Sequence, residues 1–225
     1  MEDYSATLIL TFQLAILTSL ILFLIGIPIA YYLAFSKSKI KSFIEAIVSL
    51  PLVLPPTVIG FYLLFAFGPR TLLGSFLQQT LGINLNFSFE GILIGSVLYS
   101  LPFMVHPIQS GLQGLPASLL DASYTLGKSR FATLIKVLLP NIRPSLLSGL
   151  VLSFAHTIGE FGVILMIGGS IPGETRVASI AIYDEVESLN YQNAHFFSIT
   201  LLLLSFTILF LLYVFNKRLQ SRKVL

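Results

Sequence analysis

The residue with the most unusual chemical setting in this chain is an acidic residue inside an apolar stretch. Glu160 lies in the segment HTIGEFG, residues 156–162, where no other carboxylate is present. Burying a carboxylate at such a position is costly unless the group is paired, hydrated or protonated. His156 lies four residues earlier, one turn away on a helix, and is a candidate partner. Two roles follow for Glu160: a gate or coupling residue on a translocation path, or an ion pair that orients helices at a dimer interface.

No pattern of an enzyme or of a metal site accompanies Glu160. The chain contains no Cys, which excludes disulfides and thiolate metal sites, and its 3 His residues are scattered. A cluster of His, Asp and Glu or a nucleophilic Ser at a sharp turn would favour a membrane-embedded enzyme, and the sequence has neither. We therefore predict no catalytic residue, no metal and no cofactor in this chain.

A proline-rich stretch is the second chemical feature. Residues 50–57, LPLVLPPT, hold three prolines within six positions. Each proline removes a helical hydrogen bond, and the freed carbonyls are tolerated at membrane depth only against protein or a water-lined cavity. The bend either sets helix packing or lines a pathway. The candidate pathway or gate residues are Pro55, Pro56, Thr57, Thr157, Gly159 and Glu160, with Ser100 and Ser153 as further hydroxyl groups.

The elements that must position these residues are membrane-spanning helices. The chain has 225 residues, of which 55% are hydrophobic and 10% are charged. A helix that crosses the hydrocarbon core needs about 20 mostly apolar residues. Five stretches meet this requirement: residues 7–35, 43–67, 91–111, 145–167 and 196–215. The apolar segment 177–183 is too short to cross, and we expect an interfacial or re-entrant piece there.

The distribution of basic residues predicts the orientation. Eleven of the 13 basic residues lie after the first stretch, between the third and fourth, or in the tail. Because cytoplasmic loops are rich in Lys and Arg, we expect the N-terminus outside and the C-terminus inside the cell. This spread along one membrane face also argues against nucleic acid as a partner. We expect one membrane domain, residues 1–225, embedded in the lipid of the cell membrane. The acidic residues Asp184, Glu185 and Glu187 then lie outside, where they suit docking of a partner protein.

The longest basic loop, residues 113–143, has the pattern of two short helices. We predict helices at 117–126 and 128–138, with Gly127 in the left-handed conformation between them and Pro140 as the stop. In the second helix, Phe131, Leu134, Ile135 and Leu138 would share one face. Periodicity alone leaves two alternatives equally open: a protrusion that docks in a groove of a soluble partner, or an amphipathic hairpin on anionic lipid.

The residues of this loop resemble a known coupling element. Asp121-Ala122-Ser123, then three residues, Gly127, nine residues and Val137-x-Leu139-Pro140 is similar to the EAA loop of ABC importer permeases, E-A-A-x3-G-x9-I-x-L-P. Asp replaces Glu, Ser replaces the second Ala, and Val replaces Ile. The resemblance implies docking on an ATPase subunit, carried by Asp121, Ala122, Ser123, Gly127, Leu139 and Pro140.

Three further segments resemble the molybdate/tungstate permeases of the ModB type: LPLVLPPTVIG (50–60), IGEFGV (158–163) and IPGETR (171–176). This resemblance implies the type I ABC importer fold (MetI-like), in which a homodimer encloses the pathway at its two-fold axis. It also implies two cytoplasmic ATPase subunits, which bind ATP and Mg, and an extracytoplasmic oxyanion-binding protein. A sulfate/thiosulfate permease is the alternative within the same class. A proton-coupled carrier that uses Glu160 is the alternative from another class.

Overall fold

The computed structural model describes residues 2–221, and for residues 2, 3, 81 and 217–221 it describes the backbone alone. Every regular element in this range is helical. In chain order the helices are α1 (Glu2–Phe35), α2 (Ile40–Val53), α3 (Pro56–Ala66), α4 (Leu72–Phe76), α5 (Phe89–Gln113), α6 (Ala117–Thr125), α7 (Arg130–Thr133), α8 (Leu139–Asn141), α9 (Arg143–Ile158), α10 (Gly162–Gly168), α11 (Ala178–Glu187) and α12 (Tyr191–Ser221). Two π-helical turns, Leu77–Leu81 and Leu134–Leu138, follow α4 and α7. The tail residues Arg222 and Lys223 lie outside the described residues, as do the side chains of Lys217 and Arg218.

The centre of the bundle is formed by α1, α5 and α9, which pack closely because small residues lie at their contacts. A Cβ atom on Gly26 of α1 would lie 2.7 Å from Cγ of Met104 in α5, and one on Gly149 of α9 would lie 3.0 Å from the Met104 carbonyl oxygen. Within a membrane, such close approach replaces the hydrophobic effect as the source of helix association. Leu22 and Ile108 are fully buried in this core.

Three helical segments in the described part of the chain are long and apolar enough to cross a membrane: residues 4–35, 89–113 and 191–216. Two bent pairs raise the number to five if each pair forms one span. One pair is Ile40–Val53 with Pro56–Ala66, which is the second predicted stretch, and the other is Arg130–Asn141 with Arg143–Ile158, which bends before the fourth stretch begins. The first, third and fifth predicted stretches are thus single helices, and the fourth has a separate break within it.

The second predicted stretch, residues 43–67, is not one kinked helix. Helices α2 and α3 meet at an angle of 113°. Leu54, between them, is extended (φ −76°, ψ 139°), which is the conformation favoured before a proline. Pro56 then begins α3 at the first helical position, where a missing N–H costs nothing. The paired prolines therefore turn the chain sharply rather than bending it.

The fourth predicted stretch, residues 145–167, is also broken. Helix α9 ends at Ile158, and α10 begins at Gly162. The amides of Gly159 and Glu160 donate to the carbonyls of His156 and Thr157, three residues back, so the last turn tightens and the helix stops. The break lets α10 pack against α3 so closely that a Cβ atom on Gly162 would lie 2.8 Å from Cβ of Pro56.

The helical pattern predicted for residues 113–143 (the EAA-like loop) is confirmed in its first half. Helix α6 covers Ala117–Thr125, within one residue of the prediction. Gly127 has φ +71°, the left-handed conformation expected of it. The second helix begins two residues later than predicted, at Arg130, because the Ser129 hydroxyl accepts a hydrogen bond from the Ala132 amide and so caps the helix there.

The second half of the EAA-like loop differs from the prediction in two ways. Pro140 does not stop the helix, which continues to Asn141 after the wide turn Leu134–Leu138. The side-chain amide of Asn141 donates to the Val137 carbonyl at 2.8 Å, near the position where the proline lacks an N–H. The wide turn also rotates the apolar face, because it holds more residues than an α-helical turn. As a result Leu138 is buried, whereas Phe131 and Ile135 are 74% and 45% exposed.

The short apolar segment predicted at 177–183 lies within α11, which begins at Ala178. The Ala178 amide donates to Oγ1 of Thr11 in α1 at 2.9 Å, which ties the start of α11 to the bundle. Ala178, Ile180 and Ala181 are fully buried. Helix α11 therefore packs against α1 and α12 at the end of the bundle opposite the EAA-like loop.

Candidate functional site

The two broken helices meet at a cleft of about 530 Å³, named here the Glu160 cleft. Its lining residues are Pro56, Thr57, Tyr99, Ala155, His156, Gly159, Glu160, Phe161 and Gly162. Four of the six predicted pathway residues therefore come together, although about a hundred positions separate the two pairs. The other two, Pro55 and Thr157, are not in the lining. Thr157 is 1% exposed, and its hydroxyl donates to the Ser153 carbonyl.

His156 is held in this cleft by α5 rather than by Glu160. Its Nδ1 atom lies 2.9 Å from the Ser100 hydroxyl. Its ring stacks on Phe103, with centroids 4.0 Å apart. The expected His156–Glu160 pair is wrong, because α9 ends at Ile158 and the two side chains no longer lie one helical turn apart. The two form no hydrogen bond or ion pair in the described part of the chain.

Glu160 is buried, with 3% of its surface exposed. Both of its carboxyl oxygens lack a hydrogen-bond donor among the described residues. The nearby Ser96 hydroxyl is close enough to influence the carboxyl group but does not reach hydrogen-bond geometry. The backbone carbonyl of Glu160 accepts from the Ser179 hydroxyl and so joins the break to α11. A buried carboxyl group without a donor costs stability, and its place in a cleft wall makes it a functional candidate.

Sequence reasoning named Ser100 of α5 but missed the aromatic residues that α5 contributes to this site. Tyr99 lines the cleft, and Phe103 supports His156 from one turn further along. Ser96 and Ser100 have the same four-residue spacing on the buried side of the helix. Two aromatic residues and two serines repeating every helical turn within an apolar stretch would have been a usable signal for a face that meets a polar site.

The predicted coupling residues divide into an exposed group and a buried one. Asp121, Ala122 and Gly127 are exposed on the surface of the EAA-like loop, whereas Leu139 and Pro140 are partly buried. Ser123 is 3% exposed, and its hydroxyl lies 2.8 Å from that of Thr133 in α7. The serine that replaces alanine in the EAA pattern therefore joins the two helices of the loop.

The acidic residues expected to form a docking surface are partly neutralised within the chain. Arg176 Nε lies 3.0 Å from Asp184 and its Nη2 lies 3.3 Å from Glu185. Tyr183 donates to Glu187 at 3.0 Å, and this bond together with the negative charge of Glu187 raises the pKa of the Tyr183 phenol. What this end of the bundle presents is thus an ordered, internally paired loop rather than a bare acidic patch.

A family model matches residues 26–224 of the chain, and its description is "Binding-protein-dependent transport system inner membrane component". The chain belongs to this family. It is therefore a multi-pass component of the inner membrane and a transport subunit, as the apolar stretches and the EAA-like pattern predicted.

Two relatives align with nearly the whole of this chain. The chain is 46% identical over 213 residues to the molybdenum transport system permease protein ModB of Azotobacter vinelandii, covering 94% of each protein. It is 34% identical over 208 residues to a probable sulfate transport system permease protein, cysT, of Chlorella vulgaris, covering 92% of this chain and 78% of the relative. The predicted resemblance to ModB-type permeases is confirmed.

Solved structures of ABC importers share the fold. The MetNI methionine transporter in an inward-facing conformation aligns with a TM-score of 0.73 at 17% identity, over 97% of this chain and 98% of that one. A bacterial alginate transporter, solved with a pentasaccharide-bound periplasmic protein, aligns with a TM-score of 0.78 at 18% identity, over 97% and 80%. The all-helical, MetI-like permease fold implied by the EAA-like pattern is confirmed.

Proposed function

We propose that this chain is the membrane permease subunit of an ATP-driven importer of molybdate and tungstate, and that two copies enclose the pathway. The observation that carries the proposal is 46% identity to a molybdenum permease along 94% of both chains. The sulfate permease relative is more distant, at 34%. The alignment is 213 residues long and therefore extends over both broken helices and the EAA-like loop.

The proposed topology has five spans in one domain, residues 1–225, with the N-terminus outside and the C-terminus in the cytoplasm. Three single helices, the bent pair α2 and α3, and the broken segment α9 and α10 supply this number. The basic residues of the loop after α1 and of the EAA-like loop support the orientation, because Lys and Arg accumulate on the cytoplasmic side. The breaks between α2 and α3 and between α9 and α10 then bring irregular backbone to membrane depth at the Glu160 cleft, where it lines a cavity rather than lipid.

The proposed pathway passes the Glu160 cleft, with Pro56, Thr57, Gly159 and Glu160 as gate residues. Among the residues that the structure describes, no Lys or Arg lines the cleft. A divalent oxyanion therefore meets hydroxyl groups and backbone dipoles, which let it pass without holding it, as a transport path requires. Direct contact between Glu160 and the anion is unfavourable on charge grounds. Glu160 acts instead as a gate through its buried carboxyl group, which lies in the cleft wall at the break between α9 and α10.

The proposed partners lie on both sides of the membrane. Two cytoplasmic ATPase subunits, which hold ATP and Mg, dock on the EAA-like loop through its exposed residues Asp121, Ala122 and Gly127. Ser123, Leu139 and Pro140 support that surface from within. An extracytoplasmic oxyanion-binding protein docks at the α11 end, where the Arg176 pairs give the loop a fixed shape. No cofactor is held by the permease chain itself.

Transport by the reconstituted system tests this function. Proteoliposomes are prepared with the permease and its ATPase, with the ATPase facing the lumen, and the binding protein is added outside. They should accumulate molybdate only when ATP is present in the lumen. A tenfold excess of tungstate should compete, whereas the same excess of sulfate should not. Competition by sulfate equal to that by tungstate would favour the sulfate permease instead. Uptake that continues without the ATPase and collapses with an uncoupler would overturn the ATP-driven mechanism.

A further inference from the structure

A second cleft, unrelated to the Glu160 cleft, lies between the end of α1 and the EAA-like loop. It has a volume of about 420 Å³ and is named here the Tyr31 cleft. Its lining residues are Tyr31, Tyr32, Phe35, Ser36, Tyr124 and Arg130. The first four come from the last turn of α1 and the residue after it, and the last two come from α6 and α7. Neither the transport path nor the exposed docking residues account for it.

The chemistry of this lining is one-sided. Three phenols, one hydroxyl and one guanidinium face the cleft, and all of them can donate hydrogen bonds. In the described part of the chain, no carboxylate lines it. The Arg130 guanidinium and the Tyr124 side chain both lie near the Tyr31 hydroxyl, so the donors converge. A group of donors around one fixed positive charge favours a small anion with several acceptor oxygens.

The position of the cleft provides a second, independent argument. Tyr31 and Tyr32 lie near the end of a helix that is long and apolar enough to cross a membrane, and tyrosines are enriched at such ends because they interact with the headgroup region. The loop that follows adds Lys37, Lys39 and Lys41, which attract anions to this face. The floor of the cleft is rigid, because Ala30 and Leu33 of the same helix are fully buried in the core.

We propose that the Tyr31 cleft binds a tetrahedral, phosphate-like oxyanion. Arg130 forms charge-assisted hydrogen bonds to it, and the tyrosine hydroxyls donate to its remaining oxygens. Two sources carry this chemistry: the headgroup of an anionic phospholipid, and a free oxyanion on the same side of the membrane, which is the cytoplasm in the proposed topology. Because α1 forms one wall and α6 and α7 the other, a bound anion connects the transmembrane bundle to both helices of the EAA-like loop.

Binding measurements on the purified permease–ATPase complex test the proposal and separate the two sources. For the lipid, native mass spectrometry counts phosphatidylglycerol retained from nanodiscs that also contain phosphatidylcholine. For the free anion, calorimetry follows titration of inorganic phosphate or molybdate into the complex in pure phosphatidylcholine nanodiscs. The variant Arg130→Gln should weaken one of these two interactions by roughly tenfold or more, since it removes charge-assisted hydrogen bonds. Tyr32→Phe keeps the ring, removes a single donor and should weaken the same interaction less.

Lys39→Gln is the matched control, because it removes one positive charge from an exposed residue of the same face that does not line the cleft. It should leave anion binding within about twofold of the parent, as a screened surface charge does. Equal effects of Arg130→Gln and Lys39→Gln on both probes would overturn the proposal. The proposal would also be overturned if the parent complex bound neither anion and Arg130→Gln no longer copurified with the ATPase. The cleft would then be assigned to docking of the ATPase.

Discussion

The EAA-like loop and the Glu160 cleft both depend on glycine, but for different physical reasons. Gly127 has φ +71°, and no atom lies within 4 Å of the position a Cβ would take. Gly162 has an ordinary helical backbone, but a Cβ there would lie 2.8 Å from the ring of Pro56. In the loop, glycine is required by the conformation of one residue. In the cleft, it is required by a neighbour that is distant in the sequence.

This difference determines how each region can be recognised from the sequence and how substitutions disrupt it. The determinants of the loop are local, so their spacing along the chain is enough to reveal them. The determinants of the cleft are contacts between separate helices, and they resist change because a packed interior has no free volume. Substitutions in the loop should therefore affect coupling without affecting stability, whereas substitutions at the cleft should affect both.

The largest expected effect is that of Gly127→Val. A β-branched residue in the left-handed region costs about 2 kcal/mol, which lowers the population of the docked loop on the order of thirtyfold. Molybdate uptake and the stimulation of the ATPase by the binding protein should fall accordingly, while the melting temperature stays unchanged. Gly127→Asn is the control, since Asn tolerates this conformation and should retain most of the activity. Full uptake by Gly127→Val would mean that the left-handed turn is not needed for docking.

Glu160→Met separates function from stability at the cleft. Methionine has a similar volume, and the change removes a buried carboxyl group that lacks donors. The stability of the permease should rise by about 1–3 kcal/mol, while uptake falls. Ser96→Ala removes the neighbouring hydroxyl, which is also buried without a partner, and should change uptake much less. A loss of both stability and uptake in Glu160→Met would indicate that the carboxyl group only holds the structure together.

Gly162→Ala tests the packing between α10 and α3. The added methyl group meets the Pro56 ring, which cannot rotate away, so overpacking should destabilise the protein by about 1–3 kcal/mol. The apparent melting temperature in nanodiscs should fall, and uptake should fall with it. Gly114→Ala is the control, because its nearest neighbour would be 3.4 Å away and its φ of −76° suits any residue. An unchanged melting temperature in Gly162→Ala would show that α10 moves freely against α3.

The smallest expected effect is that of Ser123→Ala. The substitution restores the alanine of the EAA pattern but leaves the buried Thr133 hydroxyl without its partner, at a cost of about 1 kcal/mol. ATPase stimulation should fall slightly. The double variant Ser123→Ala/Thr133→Val makes both partners apolar and should recover the parent value. Failure of the double variant to recover would mean that the hydroxyl pair does not brace the two helices.

Much of the fold follows from the sequence because its determinants are short-range. The apolar stretches led to the correct long helices α1, α5 and α12, and the helix start and stop signals of the EAA-like loop led to the positions of α6 and Gly127. The second stretch was expected to be one helix kinked at its prolines, and the fourth was expected to be continuous. Both expectations relied on hydropathy, which averages over about 20 residues and does not register a break of two or three. The wide turn at Leu134–Leu138 was also missed, since it depends on how Leu138 packs in the core.

The sequence by itself determined that this protein is membrane-embedded, which transport class its loop resembles, and that Glu160 is exceptional. These properties follow from the composition of the chain, from the spacing of residues in the EAA-like loop, and from the energetic cost of burying the charge of Glu160. Only the tertiary structure decided that the Glu160 carboxyl group has no hydrogen-bond partner among the described residues. His156 lies on a helix that ends too early to bring the two together, and α5 takes the imidazole with Ser100 and Phe103. The meeting of Pro56 and Gly162 likewise depends on two chain breaks that face each other across the bundle, and no local pattern encodes such a contact.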